Sequence, residues 1–299
     1  MKTFFRIALL IALLLLIALK KSAAQDILNQ LDSGATNHTE YVQATFKSTR
    51  LINFHTVECL GKKTLDFRIS HRFGYLSSGA ENLYGLDGPA SLRLGLEYSP
   101  DGRFMAGIGR TSTDKLFDGF LKYKLLRQAR GFRWVTITLL TGANITGQKD
   151  PQLDITGFNR YKYFADRMSY TYQVMIGRKF GERLSLQLSP TMVHFNLVQL
   201  TTDRNNVYAA AALGRFKISK RTALTGEYCY RINDYSINKS DYHNVAALGL
   251  DLETGGHVFQ VFITNAYGIN EAQTIPYTSG DILKKQIRLG FNISRVFTL

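Results

Sequence analysis

Residues 287–299 read Ile287-Arg-Leu-Gly-Phe-Asn-Ile-Ser-Arg-Val-Phe-Thr-Leu299. Ile287, Leu289, Phe291, Ile293, Phe297 and Leu299 share one face of an extended chain, and Arg288, Gly290, Asn292, Ser294 and Thr298 share the other. Successive side chains of a strand point to opposite faces, so one face is apolar and the other polar. A membrane-spanning β-strand needs about 9–11 residues, and this stretch is long enough. Arg295 breaks the apolar face. It lies near the strand's end, where its long stem can carry the charge to water.

The same period of two recurs upstream. Leu65, Phe67, Ile69 and Phe73 alternate with Asp66, Arg68, Ser70 and Arg72, and Leu92, Leu94, Leu96 and Tyr98 with Arg93, Gly95 and Glu97. Such runs predict half-buried strands. Strands are expected at 64–75, 90–99, 102–111, 117–127, 132–142, 166–179, 183–195, 205–217, 221–232, 243–252, 256–266 and 286–299. Short links such as Pro100-Asp101-Gly102 and Gly181 alternate with long ones such as 76–90, 143–167 and 266–285. An outer-membrane barrel sorts its connections this way, with short periplasmic turns and longer external loops. The expected fold is therefore all-β, an antiparallel up-and-down transmembrane β-barrel of about 12 strands spanning residues 63–299, an even number as bacterial single-chain barrels require. Residues 25–62 fall outside it and are expected to pack at the periplasmic rim or to enter the lumen as a plug. A 14-strand barrel drawing two strands from this region is the alternative.

The other end of the chain predicts export. Lys2 and Arg6 precede the apolar run Ile7–Leu19, and Ser22-Ala23-Ala24 supplies small residues for cleavage, so residues 1–24 read as a secretory signal peptide. Thirteen apolar residues fall short of the roughly 17–25 needed to span a bilayer as a helix. The chain carries 37 basic and 23 acidic residues, and removing Lys2, Arg6, Lys20 and Lys21 leaves a mature charge of +10. In an exported chain this excess argues against nucleic acid. It suits a basic pore lining, or contact with outer-membrane lipid and lipopolysaccharide phosphates. The barrel-assembly machinery is the other partner an outer-membrane barrel implies. Cys59 and Cys229 are the only cysteines, and nothing in the sequence brings them together.

Phe67-Arg-Ile-Ser-His-Arg-Phe-Gly74, Leu83-Tyr-Gly-Leu-Asp-Gly88, Leu92-Arg-Leu-Gly-Leu-Glu-Tyr98, Gly107-Ile-Gly-Arg110 and Phe117-Asp-Gly-Phe-Leu-Lys-Tyr-Lys-Leu-Leu-Arg-Gln128 carry a resemblance. Over residues 44–299 the chain resembles an uncharacterised outer-membrane β-barrel family of Bacteroidota, a domain of unknown function of the DUF5777 kind. The resemblance implies the fold and an outer-membrane location in a Gram-negative bacterium. It supplies no catalytic or binding residues.

The inward face holds the candidate chemistry. Arg68, Arg72, Arg93, Lys122, Lys124, Arg231 and Arg288 are expected to line the lumen with Asp66, Glu97 and Glu227. Seven basic groups against three acidic ones favour anions in a narrow pore of low dielectric. Small barrels also fill their interiors with paired charges that hold the wall together. Tyr75, Tyr98, Phe132, Phe164, Phe180, Phe195, Phe216 and Phe297 near strand ends suggest interface girdles. No G-x-S-x-G, H-E-x-x-H or phosphate-loop pattern is present, and His71, on the apolar face, has no serine partner in view, so no enzyme, metal or cofactor is expected. The function expected is porin-like passive transport of small, anionic solutes across the outer membrane. The alternative is a closed structural or partner-docking barrel without transport.

Overall fold

The computed structural model describes residues 39–149, 161–198, 202–234 and 242–299. The expected signal peptide (1–24), residues 25–38 of the N-terminal segment and residues 150–160 of the expected 143–167 connection lie outside the described residues.

Twelve antiparallel strands close a barrel in simple sequence order. They are β1 (Thr64–Tyr75), β2 (Ser91–Ser99), β3 (Phe104–Thr111), β4 (Leu116–Leu126), β5 (Thr136–Thr146), β6 (Met168–Phe180), β7 (Leu184–Phe195), β8 (Asn206–Lys217), β9 (Thr222–Arg231), β10 (Val245–Thr254), β11 (His257–Thr264) and β12 (Arg288–Thr298). The seam joins β1 to β12 from Thr64↔Thr298 to Tyr75↔Arg288. Closure leaves no unpaired strand edge, which is what lets a sheet stand in hydrocarbon. The fourteen-strand alternative does not hold, because residues 41–60 join no sheet ladder.

The alternation sorts the two faces. In β2 the outward Leu92, Leu94, Leu96 and Tyr98 are exposed and the inward Ser91, Arg93, Glu97 and Ser99 are buried. Arg295 takes the outward register and lies over the Phe297 ring, 4.9 Å away. His71, also outward, stacks on Phe291 at 5.1 Å and meets the edge of Phe73 at 4.3 Å. Two protein rings therefore flank it.

Strand β5 departs from its expected 132–142 and runs from Thr136 to Thr146. Ala129 and Arg133 exchange backbone hydrogen bonds, and Gln128 N donates to the Thr136 hydroxyl at 3.1 Å. These contacts use residues 128–133 to close the turn, and pairing with β4 resumes four residues later than the apolar pattern suggests. Within the 265–287 connection lies a seven-residue helix, α1 (Glu271–Tyr277), capped by Asn270, whose side chain accepts from Ala272 N at 2.8 Å. Glu271 through Pro276 of α1 are buried. Cys59 and Cys229 are both free thiols.

Candidate functional site: the occupied lumen

Residues 45–60 run inside the barrel. They form a hairpin that enters and leaves by the short-turn end. Val42 N donates to Gln128 O at 2.9 Å on the way in, and the Cys59 thiol reaches Arg103 O at 3.3 Å on the way out. Thr56 N to Thr49 O and Leu51 N to Phe54 O close its tip. Phe54, Val57, Asn53 and Thr56 are wholly shielded from solvent.

Wall side chains hold this hairpin through its backbone. Glu227 accepts from Ile52 N at 2.7 Å and Asn53 N at 2.9 Å. Gln187 accepts from Val57 N at 2.7 Å and donates to His55 O at 2.8 Å. Lys122 Nζ donates to Glu58 O at 2.5 Å, and Lys124 Nζ pairs with the Glu58 carboxylate at 2.8 Å. Arg72 donates to Ile52 O and Asn53 Oδ1, at 3.1 and 3.2 Å. Arg68 donates to Ser48 and Thr49 hydroxyls at 2.8 and 2.9 Å, and Thr49 donates in turn to Glu97 at 2.7 Å. Buried backbone groups without such partners would each cost roughly 1–3 kcal/mol, so these contacts are what make an irregular segment tolerable inside the barrel.

All ten expected lumen residues lie on the inward register, and the structure gives them distinct tasks. Arg68, Arg72, Glu97, Lys122, Lys124 and Glu227 grip the hairpin. Arg231 donates to Pro276 O at 3.0 Å, and Arg288 lies between the rings of Tyr75 (3.6 Å) and Tyr267 (4.6 Å), so both hold the β11–β12 loop. Asp66 and Arg93 pair within the wall. Asp66 accepts from Arg68 at 3.0 Å and from Ser294 at 2.6 Å, and Arg93 makes a two-point contact with Asp118 at 2.9 and 2.6 Å.

Asp118, four residues before Lys122 on the same inward register, belongs with these ten. So do Arg215, Asp251 and Glu253 of the wall, and Arg50, Glu58 and Glu271, carried inward from other segments. With these the named set comes to nine cations and eight anions, and most are paired. The basic excess inferred from seven and three does not survive this count.

An apolar cluster fills another part of the lumen. Met175, Val193, Val207, Ala209, Ala211, Leu213 and Val245 point inward and pack in one cluster with Phe46, Leu51, Phe54, Val57 and Leu60 of the hairpin and with Ala272 and Ile275 of α1. Val57 sits so close to Gly177 that a Cβ there would lie 2.8 Å from a Val57 methyl. His55 is buried beside the edge of Phe120 at 4.6 Å. Burial, reinforced by Arg50, Lys122, Arg93 and Arg68, holds its imidazole well below the usual 6.5, in the neutral form.

A family comparison matches residues 46–297 to the membrane-bound β-barrel domain DUF5777. The chain belongs to this family. The matched region begins at Phe46, so the DUF5777 domain takes in the lumen hairpin as well as the wall. A comparison with curated proteins finds no match. Among solved structures the chain is similar to the KdgM porin in complex with disordered oligogalacturonate, with a TM-score of 0.47, 10% identity, and 78% of this chain and 99% of that chain covered. It is also similar to outer membrane phospholipase A from Escherichia coli (TM-score 0.45, 11% identity, 84% and 95% covered). A third similar structure is the translocator domain of the autotransporter NalP from Neisseria meningitidis (0.39, 11%, 80% and 89%). These likenesses extend to the barrel fold alone.

Proposed function

We propose that this DUF5777 protein is an outer-membrane barrel whose own chain closes its lumen, and that in this state it serves as a structural or partner-docking protein. The short-turn end faces the periplasm in this reading, following the usual asymmetry of such barrels. The observation that supports it is the hairpin 45–60, held by wall hydrogen bonds on one side and an apolar core on the other. The cations that would attract a solute anion are engaged with the hairpin, its carboxylates or the wall.

A second reading is gated passage of small anions, and one feature favours it. Both legs of the hairpin leave by the same end, so it can withdraw without threading through the barrel. Withdrawal would bare Arg68, Arg72 and Lys122 to the lumen.

Planar-bilayer recording tests the first reading. The full chain should be electrically silent, and a chain lacking residues 45–60 should conduct. Steady conductance from the full chain would overturn it.

A further inference from the structure

The short-turn end between β4 and β7 concentrates basic and aromatic side chains. Residues 127–135 and 178–184 contain six basic residues and one acid, Glu182. At the other end, residues 76–90 contain Glu81 and Asp87 and no basic residue. The two connections are clasped together. Gln128 Nε2 donates to Lys179 O at 3.0 Å, and Lys179 N donates to Gln128 Oε1 at 2.9 Å. The clasp sets the two connections side by side at this end.

Arg178 shares the outward register of Tyr172, Val174 and Ile176, so its guanidinium stands on the lipid side of the wall. The rings of Phe180 and Trp134 flank it at 4.7 and 5.5 Å. Its Nε is buried without a hydrogen-bond partner. Arg127 is held over Tyr41 at 4.3 Å and Arg133 over Phe132 at 5.0 Å. Among the described residues Arg127, Arg133, Arg178 and Arg183 make no ion pair. Tryptophan and tyrosine mark the head-group level of a membrane, and this chain has one tryptophan, Trp134. The guanidinium groups of Arg127, Arg133 and Arg178, held by rings and free of carboxylates, match phosphate oxygens, which arginine can engage at two points.

We propose that this sector binds the phosphodiester head groups of anionic phospholipid in the leaflet at the short-turn end. An acidic protein would approach from the aqueous side, whereas Arg178 is on the face that acyl chains cover. The site depends on the barrel's place in a membrane and not on whether its lumen conducts, so lipid retention and conductance fail separately.

Native mass spectrometry of protein extracted from vesicles of phosphatidylcholine and phosphatidylglycerol tests the site. The wild type should retain phosphatidylglycerol over phosphatidylcholine by at least about tenfold, as expected for several cations beside an anionic surface. R127Q/R133Q/R178Q/R183Q should bring the ratio near one, whereas K284Q/K285Q at the other end should leave it unchanged. Heat-dependent gel mobility reports folding. If the fourfold variant does not fold, R178Q alone should lower the ratio severalfold. Equal retention of both lipids by the wild type, or equal loss in the two variants, overturns the proposal. Displacement of the lipid by millimolar inorganic phosphate would overturn the lipid as ligand in favour of a free-phosphate site. Capture of an acidic protein without lipid preference would assign the surface to a protein instead.

Discussion

Arg50, near the tip of the lumen hairpin, meets Glu271 at the start of α1 through two contacts of 3.3 Å, and each side chain is only 4% exposed. The segment entering from the short turns thus joins the loop descending from the other end. Removing one member strands a buried charge, so Arg50→Ala or Glu271→Ala should each cost roughly 3–5 kcal/mol. The double variant should cost clearly less than the two together. Urea unfolding followed by Trp134 fluorescence gives the comparison, and simple additivity would mean that the two ends are not coupled.

Glu227→Ala removes the acceptor for Ile52 N and Asn53 N while leaving β9 intact. With Phe54 N, which reaches the same carboxylate at 3.4 Å, three buried donors lose their partner, at roughly 1–3 kcal/mol each. The hairpin should loosen before the wall does. Limited proteolysis should cut within residues 45–60 while the folded barrel keeps its gel mobility, and bilayer recordings should show brief openings absent from the wild type.

Gly177 gives a size test that leaves the polar contacts alone. Its missing Cβ accommodates Val57, and Gly177→Ala would press on the Val57 methyls at 2.8 and 2.9 Å. Overpacking of this kind typically costs about 1–3 kcal/mol. Adding Val57→Ala should restore most of the loss. Thermal unfolding of the single and paired variants measures it, and a paired variant worse than Gly177→Ala alone would show that the two do not share one contact.

His55 should make the protein sensitive to acid. Its folded-state pKa is depressed by burial and then by four neighbouring cations, while in the unfolded chain it takes a proton near 6.5. The unfolded state therefore binds the extra proton as pH falls below 6.5. Stability from this group is complete above that value and declines beneath it, by up to about 1.4 kcal/mol per pH unit. Urea midpoints between pH 7.5 and 5 should fall for the wild type, and His55→Gln should show a shallower decline.

The wall was readable because each strand needs only a period of two and a length, and residues 287–299 or 92–98 satisfy both by themselves. The ten inward candidates follow from the same alternation. The hairpin was not readable to the same depth. Phe46, Ile52 and Phe54 give it some strand character, but Thr45–Leu60 has no sustained period of its own. Its conformation is set by Glu227, Gln187 and Lys122, which lie far away in sequence. Helix α1 is too short to show helical spacing and carries Pro276, although Asn270 before Glu271 is a capping signal. Of the acidic groups that balance the lumen charge, Asp118, Asp251 and Glu253 follow the wall alternation, whereas Glu58 and Glu271 reach the lumen from segments outside the wall.

The apolar cluster inside β6–β10 has a consequence for how this sequence can vary. In β8, Tyr208 and Phe216 face outward while Val207, Ala209, Ala211 and Leu213 pack against protein inside. An open pore leaves one face of each strand bathed in water and tolerant of polar exchange. Here neither face has that latitude, so substitutions in relatives should gather in the connections, and changes on the inner face of β8 should be matched by changes in residues 46–60.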